Sequence, residues 1–319
     1  MTATPTKPDT HAGLQFRADL ALLTVALIWG VNIPIMKSGL EKIDVFVFNF
    51  IRLAISAVVL SLFALAEPAR SPASGPGLSW KKVILYGVIV SGMYQVSFLI
   101  GVANTTSGNT ALIMATVPLW TALLARLFGN ERIGGRAWFG LVIALVGTAV
   151  VAFQKGDVTL STTHGFGNLV ILAAAMIWAG GTVYSRPLLK SISPLRLAAV
   201  GGMLALPIHF LFASSHLAES AAALQSPRLW GIICYSGLLS TGLALPLWNY
   251  GIQHAGASHA AVVQNVSPAF AIVAAWLIRG EQMTTEQIYG GALILGGLIV
   301  MRMARQAQPV AEPVLDKTS

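Results

Sequence analysis

Uncharged amide side chains interrupt several long apolar stretches of this sequence. Each lies among aliphatic and aromatic residues, where an amide needs a hydrogen-bond partner. Such a group can bind the polar end of a small solute, or it can join two helices by a hydrogen bond. Two of the amides come one turn before Pro268, where a proline bends a helix and frees a carbonyl. The amides that we expect to bind a solute are Asn32, Gln95, Asn249, Gln264 and Asn265.

Aromatic residues occupy comparable positions inside the same stretches. Trp29 comes three residues before Asn32, and Trp178 is its counterpart in the second half of the chain. We predict that Trp29, Tyr94, Trp178 and Trp248 form the walls of a cavity beside the amides. Tryptophans near the ends of apolar stretches are typical of the membrane interface instead. That description fits Trp80, Trp138 and Trp230.

Arg52 is the basic residue predicted deep inside an apolar stretch, about two turns from its start. An isolated guanidinium at that depth is costly. Its long side chain can extend to the outer surface. Alternatively, Arg52 binds a carboxylate or phosphate, or acts as a gate by pairing with Asp44 or with a helix C-terminus.

The composition indicates an integral membrane protein. Of the 319 residues, 55% are hydrophobic and 10% are charged, and the mean hydropathy is +0.72. Soluble domains carry about 25% charged residues, so this inventory cannot cover a water-facing surface. The net charge of +8 fits basic residues gathered on the cytoplasmic side of a bilayer better than nucleic-acid binding.

The apolar residues fall into ten segments, each close to the length that crosses the hydrocarbon layer as a helix. The fold class is therefore all-α, with ten transmembrane helices. The predicted segments are Leu20–Leu40, Val45–Ala66, Val83–Ala103, Asn109–Phe128, Ala137–Phe153, Phe166–Tyr184, Leu195–Ser214, Leu229–Gly251, His259–Ile278 and Gln287–Ala304.

An internal repeat relates the two halves of the chain. Adding 150 to a position carries Pro118 to Pro268, Glu131 to Glu281, and several alanines and glycines to identical residues. Because each half holds five segments, an odd number, the second half enters the membrane inverted relative to the first. Inverted repeats are typical of transporters that open alternately to each side of a central site. The predicted divisions are a tail at 1–19, repeats at 20–153 and 166–304, and a tail at 305–319.

The distribution of lysine and arginine predicts that both termini lie in the cytoplasm. The acidic residues all fall at segment ends, in connections or in tails. Proton coupling commonly uses a carboxylate at mid-depth, so we predict facilitated diffusion, exchange, or coupling through another group. His209 is interpreted as a hydrogen-bonding packing residue. We predict no catalytic residues, no metal site and no cofactor.

The segments also carry motifs that resemble the EamA-type members of the drug/metabolite transporter superfamily, from Leu20 to about Arg302. The matching residues are Ile28-Trp29-Gly30-Val31-Asn32 with Lys37, Arg52, Pro118 with Glu131, and Pro268 with Gly280-Glu281. The resemblance implies two inverted five-helix repeats that export small polar or aromatic metabolites, often amino acids, across the bacterial inner membrane. An importer or a facilitative channel of the same fold is the alternative.

Glycines spaced for close helix packing recur in the fifth and tenth segments. They are Gly140, Gly147, Gly290 and Gly297. Small residues at this spacing let two helix backbones approach closely. We therefore predict that these two segments form packing faces or a homodimer contact, and that they do not line the cavity.

Overall fold

The computed structural model of the protein describes residues 11–68, 77–105, 107–128, 134–154, 164–280 and 284–306. Glu131 and Glu281 of the repeat, and the predicted tails up to residue 10 and from residue 307, lie outside this set. The described part of the chain is helical and contains no strand. Its ten long helices are α1 (His11–Leu40), α2 (Val45–Ala66), α3 (Trp80–Ala103), α4 (107–128), α5 (Gly135–Gln154), α6 (Gly165–Leu188), α7 (Pro194–Ser214), α8 (Pro227–Ala255), α9 (257–279) and α10 (Thr285–Gln306).

Every predicted segment corresponds to one of these helices. Seven of them, α1 to α3 and α6 to α9, are long and apolar enough to cross a membrane. The other three contain shorter apolar helical stretches, at Ile113–Phe128, Gly135–Val150 and Ile288–Gly297. Large apolar side chains such as Leu65, Phe128 and Leu211 are 83%, 79% and 70% exposed, a surface suited to lipid and not to water. The protein is a multi-pass membrane protein.

Four of the helices depart from regular α geometry at related positions. Helices α3 and α8 contain π-helical segments, Gly87–Met93 and Ser236–Leu243, which begin 149 residues apart. Helix α4 breaks between Ala115 and Val117, and α9 breaks between Gln264 and Ser267. Each break comes just before a proline, which lacks the N–H that a continuous helix would use. The irregularities therefore recur at the spacing of the sequence repeat.

The helices of the two halves pack against one another in matching pairs. Helix α2 lies along α7, and α5 lies along α10. Helix α1 contacts α8 and α9, while α6 makes the corresponding contacts with α3 and α4. This interlocking places α1 and α6 at the centre, where residues of both halves meet.

The glycine-rich faces of α5 and α10 are buried against each other within one chain. A Cβ atom added to Gly147 would lie 2.6 Å from the Gly290 carbonyl oxygen, and one added to Gly297 would lie 2.5 Å from the Gly140 carbonyl oxygen. Only glycine permits such close backbone contact. The predicted packing face is thus used inside the chain, and a homodimer stays a prediction.

An apolar cluster fills the end of the bundle where α1 leads into α2. Its buried side chains come from the connection, from α2 and from α8, and they include Ile43, Val47, Phe48, Leu229 and Ile233. Phe48 is 1% exposed. Tight apolar packing of this kind excludes water from the interior of the cluster.

Candidate functional site

Three indole rings pack against one another at the centre of the bundle. The ring centroids of Trp29 and Trp178 are 5.8 Å apart, those of Trp29 and Trp248 5.5 Å, and those of Trp178 and Trp248 5.7 Å. We call these residues the tryptophan triad. The Tyr94 ring lies against Trp178 at a centroid distance of 4.8 Å. The four predicted wall residues therefore meet, and Trp29 and Tyr94 come from the first half while Trp178 and Trp248 come from the second.

Two of the three indole N–H groups of the triad donate to acceptors on other helices. Trp178 Nε1 donates to Gln264 Oε1 at 3.0 Å, and Trp29 Nε1 donates to the Ser240 carbonyl oxygen at 2.8 Å. A buried indole N–H requires such a partner. Ser240 belongs to the π-helical segment of α8, and Gln264 ends the first part of α9. These bonds orient the two rings and tie the triad to the irregular parts of the helices.

The Arg52 guanidinium points into the bundle and is surrounded by neutral polar groups. Its Nε and Nη2 donate to Asn49 Oδ1 at 3.0 and 2.6 Å, and its Nη1 donates to Thr241 Oγ1 at 3.0 Å. Nη2 also lies 3.4 Å from Gln95 Oε1. Arg52 is 8% exposed, so it does not extend to the outer surface. We call Asn49, Arg52, Gln95 and Thr241 the arginine network.

Asp44 is not the partner of Arg52. Its Oδ1 accepts hydrogen bonds from the backbone N–H groups of Phe46 and Val47, at 2.9 and 3.1 Å. It is therefore the N-cap of α2, a role that aspartate commonly fills because the first N–H groups of a helix lack acceptors. The two residues are not paired in this conformation, and a gate that involves them stays a prediction.

A small cavity lies between the triad and the arginine network. Its lining includes Ser56, Tyr86, Ser91, Gln95, Trp178, Thr241 and Asn249. Two buried polar atoms of this lining, Ser56 Oγ and Asn249 Oδ1, have no hydrogen-bond partner in the protein. The open space is about 30 Å³, room for about two water molecules. It is a polar cavity with spare hydrogen-bonding capacity, and a metabolite would need it to widen.

The remaining predicted amides join helices to one another. Asn32 Oδ1 accepts a 2.7 Å hydrogen bond from Ser236 Oγ, which links α1 to α8. Asn249 Nδ2 donates to a backbone carbonyl at the start of α7 at 3.2 Å. Asn265 Nδ2 donates to the Ala115 carbonyl at 3.3 Å, and this bond connects the breaks of α9 and α4. In this conformation Asn32 and Asn265 bond to neighbouring helices, as the packing alternative predicts, and Asn249 also lines the cavity. A solute-binding role of these amides stays a prediction.

Sequence reasoning missed Asn49 and Thr241 as neighbours of Arg52. Asn49 precedes Arg52 by three residues, a spacing that places two side chains on one helix face, so it could have been found. Thr241 is 189 residues away and carries no local signal. His209 was predicted as a hydrogen-bonding residue, and its Nε2 lies 2.9 Å from the Ser91 carbonyl oxygen.

A larger, open cavity lies between the ends of α4, α6 and α8. It measures about 580 Å³, and its lining includes Leu124, Phe128, Gly180, Tyr184, Arg186, Lys190 and Gln253. Gly180 comes two residues after Trp178 on α6. Basic side chains, Arg186 and Lys190, lie at the rim of the cavity. In the described residues no cluster of three or more metal-ligating side chains occurs.

Comparison with known proteins shows which family the chain belongs to. The profile of the EamA-like transporter family matches residues 16–153 and again residues 165–303. The uncharacterized transporter YoaV of Bacillus subtilis is 27% identical over 285 residues, which cover 88% of this chain and 95% of that protein. A probable terminal-alkyne amino-acid exporter of Streptantibioticus cattleyicolor is 25% identical over 289 residues, 89% of this chain and 93% of that one.

The same fold occurs in a solved crystal structure. That structure superposes with a TM-score of 0.77 at 20% sequence identity, and the match covers 92% of this chain and 99% of the other. At this identity the likeness concerns the fold alone. The two family matches, by contrast, span both halves of the chain and confirm the resemblance seen in its motifs. The protein is a membrane transporter that belongs to the EamA-like transporter family.

Proposed function

We propose that the protein exports a small metabolite, an amino acid or a related compound, by alternating access. The solute would bind where the tryptophan triad, Tyr94 and the arginine network border the small cavity. Aromatic faces would take the apolar part of the solute, while Gln95, Asn249 and Gln264 would hydrogen-bond its polar part. No step of this cycle needs a catalytic residue, so we propose a transporter and not an enzyme.

The observation that carries this proposal is the meeting of both repeats at one buried point. Trp29 from the first repeat packs on Trp178 and Trp248 from the second. Arg52 from the first repeat donates to Thr241 from the second. A movement of one repeat against the other would open or close this site directly, as alternating access requires.

We further propose that the two repeats cross the membrane in opposite senses, with ten crossings and both termini in the cytoplasm. The matching contacts of α1 with α8 and α9, and of α6 with α3 and α4, support a two-fold relation between the halves. The excess of lysine and arginine at the α2–α3, α4–α5 and α6–α7 connections supports the orientation. The family resemblance favours the bacterial inner membrane.

In this orientation the described conformation is closed on the outside. The apolar cluster around Phe48 seals the outer end, while the 580 Å³ cavity with Arg186 and Lys190 faces the cytoplasm. A solute leaving the cell would enter through this vestibule and would separate the indoles to reach the polar cavity. The packed triad favours a carrier over a channel, because a channel needs a continuous open path.

An efflux measurement tests the function. A bacterial host is loaded with each of the proteinogenic amino acids in labelled form, and efflux is compared with and without expression of the protein. We expect faster efflux of at least one amino acid, with a rate that saturates and with counterflow when unlabelled solute is supplied outside. The absence of any added efflux, or conductance that does not saturate, would contradict the proposal.

Two tryptophan variants provide a matched comparison. Trp178→Ala removes a ring that is 6% exposed, whereas Trp276→Ala removes a ring that is 45% exposed on α9. We expect the first variant to lose transport and the second to keep it, with both present in the membrane at similar amounts. Equal transport by the two variants would place the solute site elsewhere.

A further inference from the structure

Arg52 carries a buried charge that no carboxylate of the described residues balances. Ion pairs in that part of the chain include Glu67 with Arg196, and Asp19 also contacts His259, but neither contact involves Arg52. The groups bonded to Arg52 are amides and a hydroxyl, which are neutral. A buried cation with only neutral partners attracts an anion strongly, because the surroundings screen its charge weakly.

Asn49 occupies the part of Arg52 that a carboxylate would use. Its Oδ1 accepts from both Nε and Nη2 of the guanidinium. These two N–H groups form the fork that binds the two oxygens of a carboxylate. Asn49 would therefore have to withdraw before an anion could bind there in the favoured two-bond geometry.

The orientation of the Asn49 amide is set from both sides. Arginine only donates hydrogen bonds, so the oxygen of Asn49 must face Arg52. On the other side, Asn49 Nδ2 lies 3.4 Å from His209 Nδ1. His209 Nε2 lies 2.9 Å from the Ser91 carbonyl, which only accepts, so Nε2 carries a proton. Nδ1 of the neutral ring therefore accepts from Asn49.

Protonation of His209 is incompatible with this arrangement. Both ring nitrogens of a protonated histidine are donors, so the Nδ1–H would face the Nδ2–H₂ group of Asn49. The amide can accept from the imidazolium only by turning its oxygen toward His209. That rotation removes the acceptor from Arg52 and leaves a donor group facing the guanidinium. The neutral network and the protonated network are thus two distinct states.

We infer that His209 is a proton site that controls the access of a carboxylate to Arg52, an inference that rests on the proposed function and names the substrate as an anion-bearing compound. The proton enters at Nδ1 and the Asn49 amide turns its oxygen toward His209. Because the Nδ2–H₂ group and the guanidinium are both donors, the Asn49 side chain then moves away from Arg52, and the freed Nε and Nη2 bind the carboxylate. Loss of the proton reverses these steps. Proton and carboxylate bind together, because the positive charge gained at His209 is offset by the anion.

The surroundings of His209 contain no competing acid among the described residues. Arg52 on α2 is the charged group that faces it. Helix α3 contributes the Ser91 carbonyl there, while its tyrosines lie elsewhere, Tyr86 beside Gly201 and Tyr94 near Arg52. Helix α8 contributes the neutral Thr241 to the arginine network. A carboxylate that balances the protonated state must therefore come from the solute.

Phenylacetate is a suitable probe, since it joins a carboxylate to an aromatic ring that would pack on the indoles once the small cavity widens. Its binding to the purified full-length protein in lipid nanodiscs is measured from about pH 5.5 to about pH 8, where it stays ionised. We expect the affinity to rise as the pH falls, by at most about tenfold per pH unit for one linked proton. The neutral analogue 2-phenylethanol should bind weakly and without pH dependence.

Variants separate this linkage from a structural role. His209→Gln should bind phenylacetate without pH dependence, because the proton site is removed. Asn49→Ala should bind it with a much weaker pH dependence than the wild type, because only the direct attraction between the His209 charge and the carboxylate remains. His216→Gln, near the outer end of α7, should keep the pH dependence. Nitrogen-15 spectra of labelled histidine should show that phenylacetate shifts the titration midpoint of His209 upward in the wild type.

Each contrary outcome is decisive. Absence of phenylacetate binding throughout the pH range, binding that is independent of pH in the wild type, or pH dependence as steep in Asn49→Ala or His209→Gln as in the wild type would overturn the inference. These measurements do not involve transport. If efflux is found and the linkage is not, the inference alone fails; if the linkage is found without efflux of any solute, the proposed function fails.

Discussion

The indole N–H of Trp178 and the side-chain oxygen of Gln264 form a 3.0 Å hydrogen bond that joins α6 to α9. Both residues were predicted to lie at a solute site, but the sequence places them 86 positions apart. The bond holds one indole of the triad beside the break in α9. It therefore connects the aromatic centre to a place where the backbone is already irregular.

This bond should be measurable as a coupling energy. Gln264→Ala leaves the buried indole N–H without an acceptor, at a cost of about 1–3 kcal/mol. Trp178→Phe removes the donor, and in the double variant neither group remains unpaired. We therefore expect the double variant to be less destabilised than the sum of the single variants. The stabilities of the wild type, the two single variants and the double variant are measured by thermal unfolding in detergent. Strictly additive losses of stability would show that the bond contributes nothing.

Substitution by alanine should have different effects on stability at two neighbouring glycines of α10. Gly297→Ala would place a Cβ 2.5 Å from the Gly140 carbonyl oxygen, whereas a Cβ at Gly296 has no atom within 4 Å. We expect Gly297→Ala to destabilise the protein by about 1–3 kcal/mol, since α5 and α10 must separate.

Gly296→Ala is the matched control. It should be neutral or slightly stabilising, because alanine favours a helix over glycine by up to about 1 kcal/mol. Unfolding temperatures of the two variants measured side by side provide the comparison. Similar temperatures would mean that α5 and α10 do not pack through these glycines.

Substitutions of Asp44 distinguish its role as the N-cap of α2 from a role in gating. Asp44→Ala removes the acceptor of the Phe46 and Val47 N–H groups and should cost about 1 kcal/mol of stability. Asparagine is an equally good N-cap, so Asp44→Asn should keep both stability and efflux. Loss of efflux in a stable Asp44→Asn protein would instead indicate that the negative charge of Asp44 takes part in gating.

The opposite orientation of the repeats can be tested at a pair of equivalent exposed positions. Arg136 near the start of α5 and Glu286 near the start of α10 are both exposed and stand 150 residues apart. Each is replaced by cysteine after Cys234 is changed to serine. A membrane-impermeant maleimide should label Glu286→Cys in intact cells and Arg136→Cys only after permeabilisation. Labelling of both from the same side would disprove the inverted repeat.

Much of the fold could be predicted from the sequence because membrane helices are marked locally. A run of about 20 apolar residues indicates a transmembrane helix without further information. Helix α2, for example, begins and ends where predicted, at Val45 and Ala66. The repeat of Pro118 and Pro268 likewise anticipates the related breaks in α4 and α9. The π-helical segments were not predicted, since Gly87–Met93 and Ser236–Leu243 have the composition of ordinary helix.

The site was predicted less completely. The aromatic residues were expected at one cavity, and the structure brings Trp29, Trp178 and Trp248 into contact. Their arrangement differs from the expected open walls, because the rings fill the centre and leave only a small cavity. The widening that a solute needs depends on movement between the repeats, and no single stretch of sequence encodes that movement.

Hydropathy, residue spacing and short motifs are enough to predict the membrane class, the helical segments, the duplication and the family, because each is a local property of the sequence. The partners of Arg52, in contrast, became evident from the packed helices alone. Asn49 is a helical neighbour, but Thr241 lies 189 residues from Arg52, and His209 lies 160 residues from Asn49. Hydrogen bonds between side chains so distant in the chain depend on how whole helices pack, and packing leaves no local pattern in the residues that it brings together.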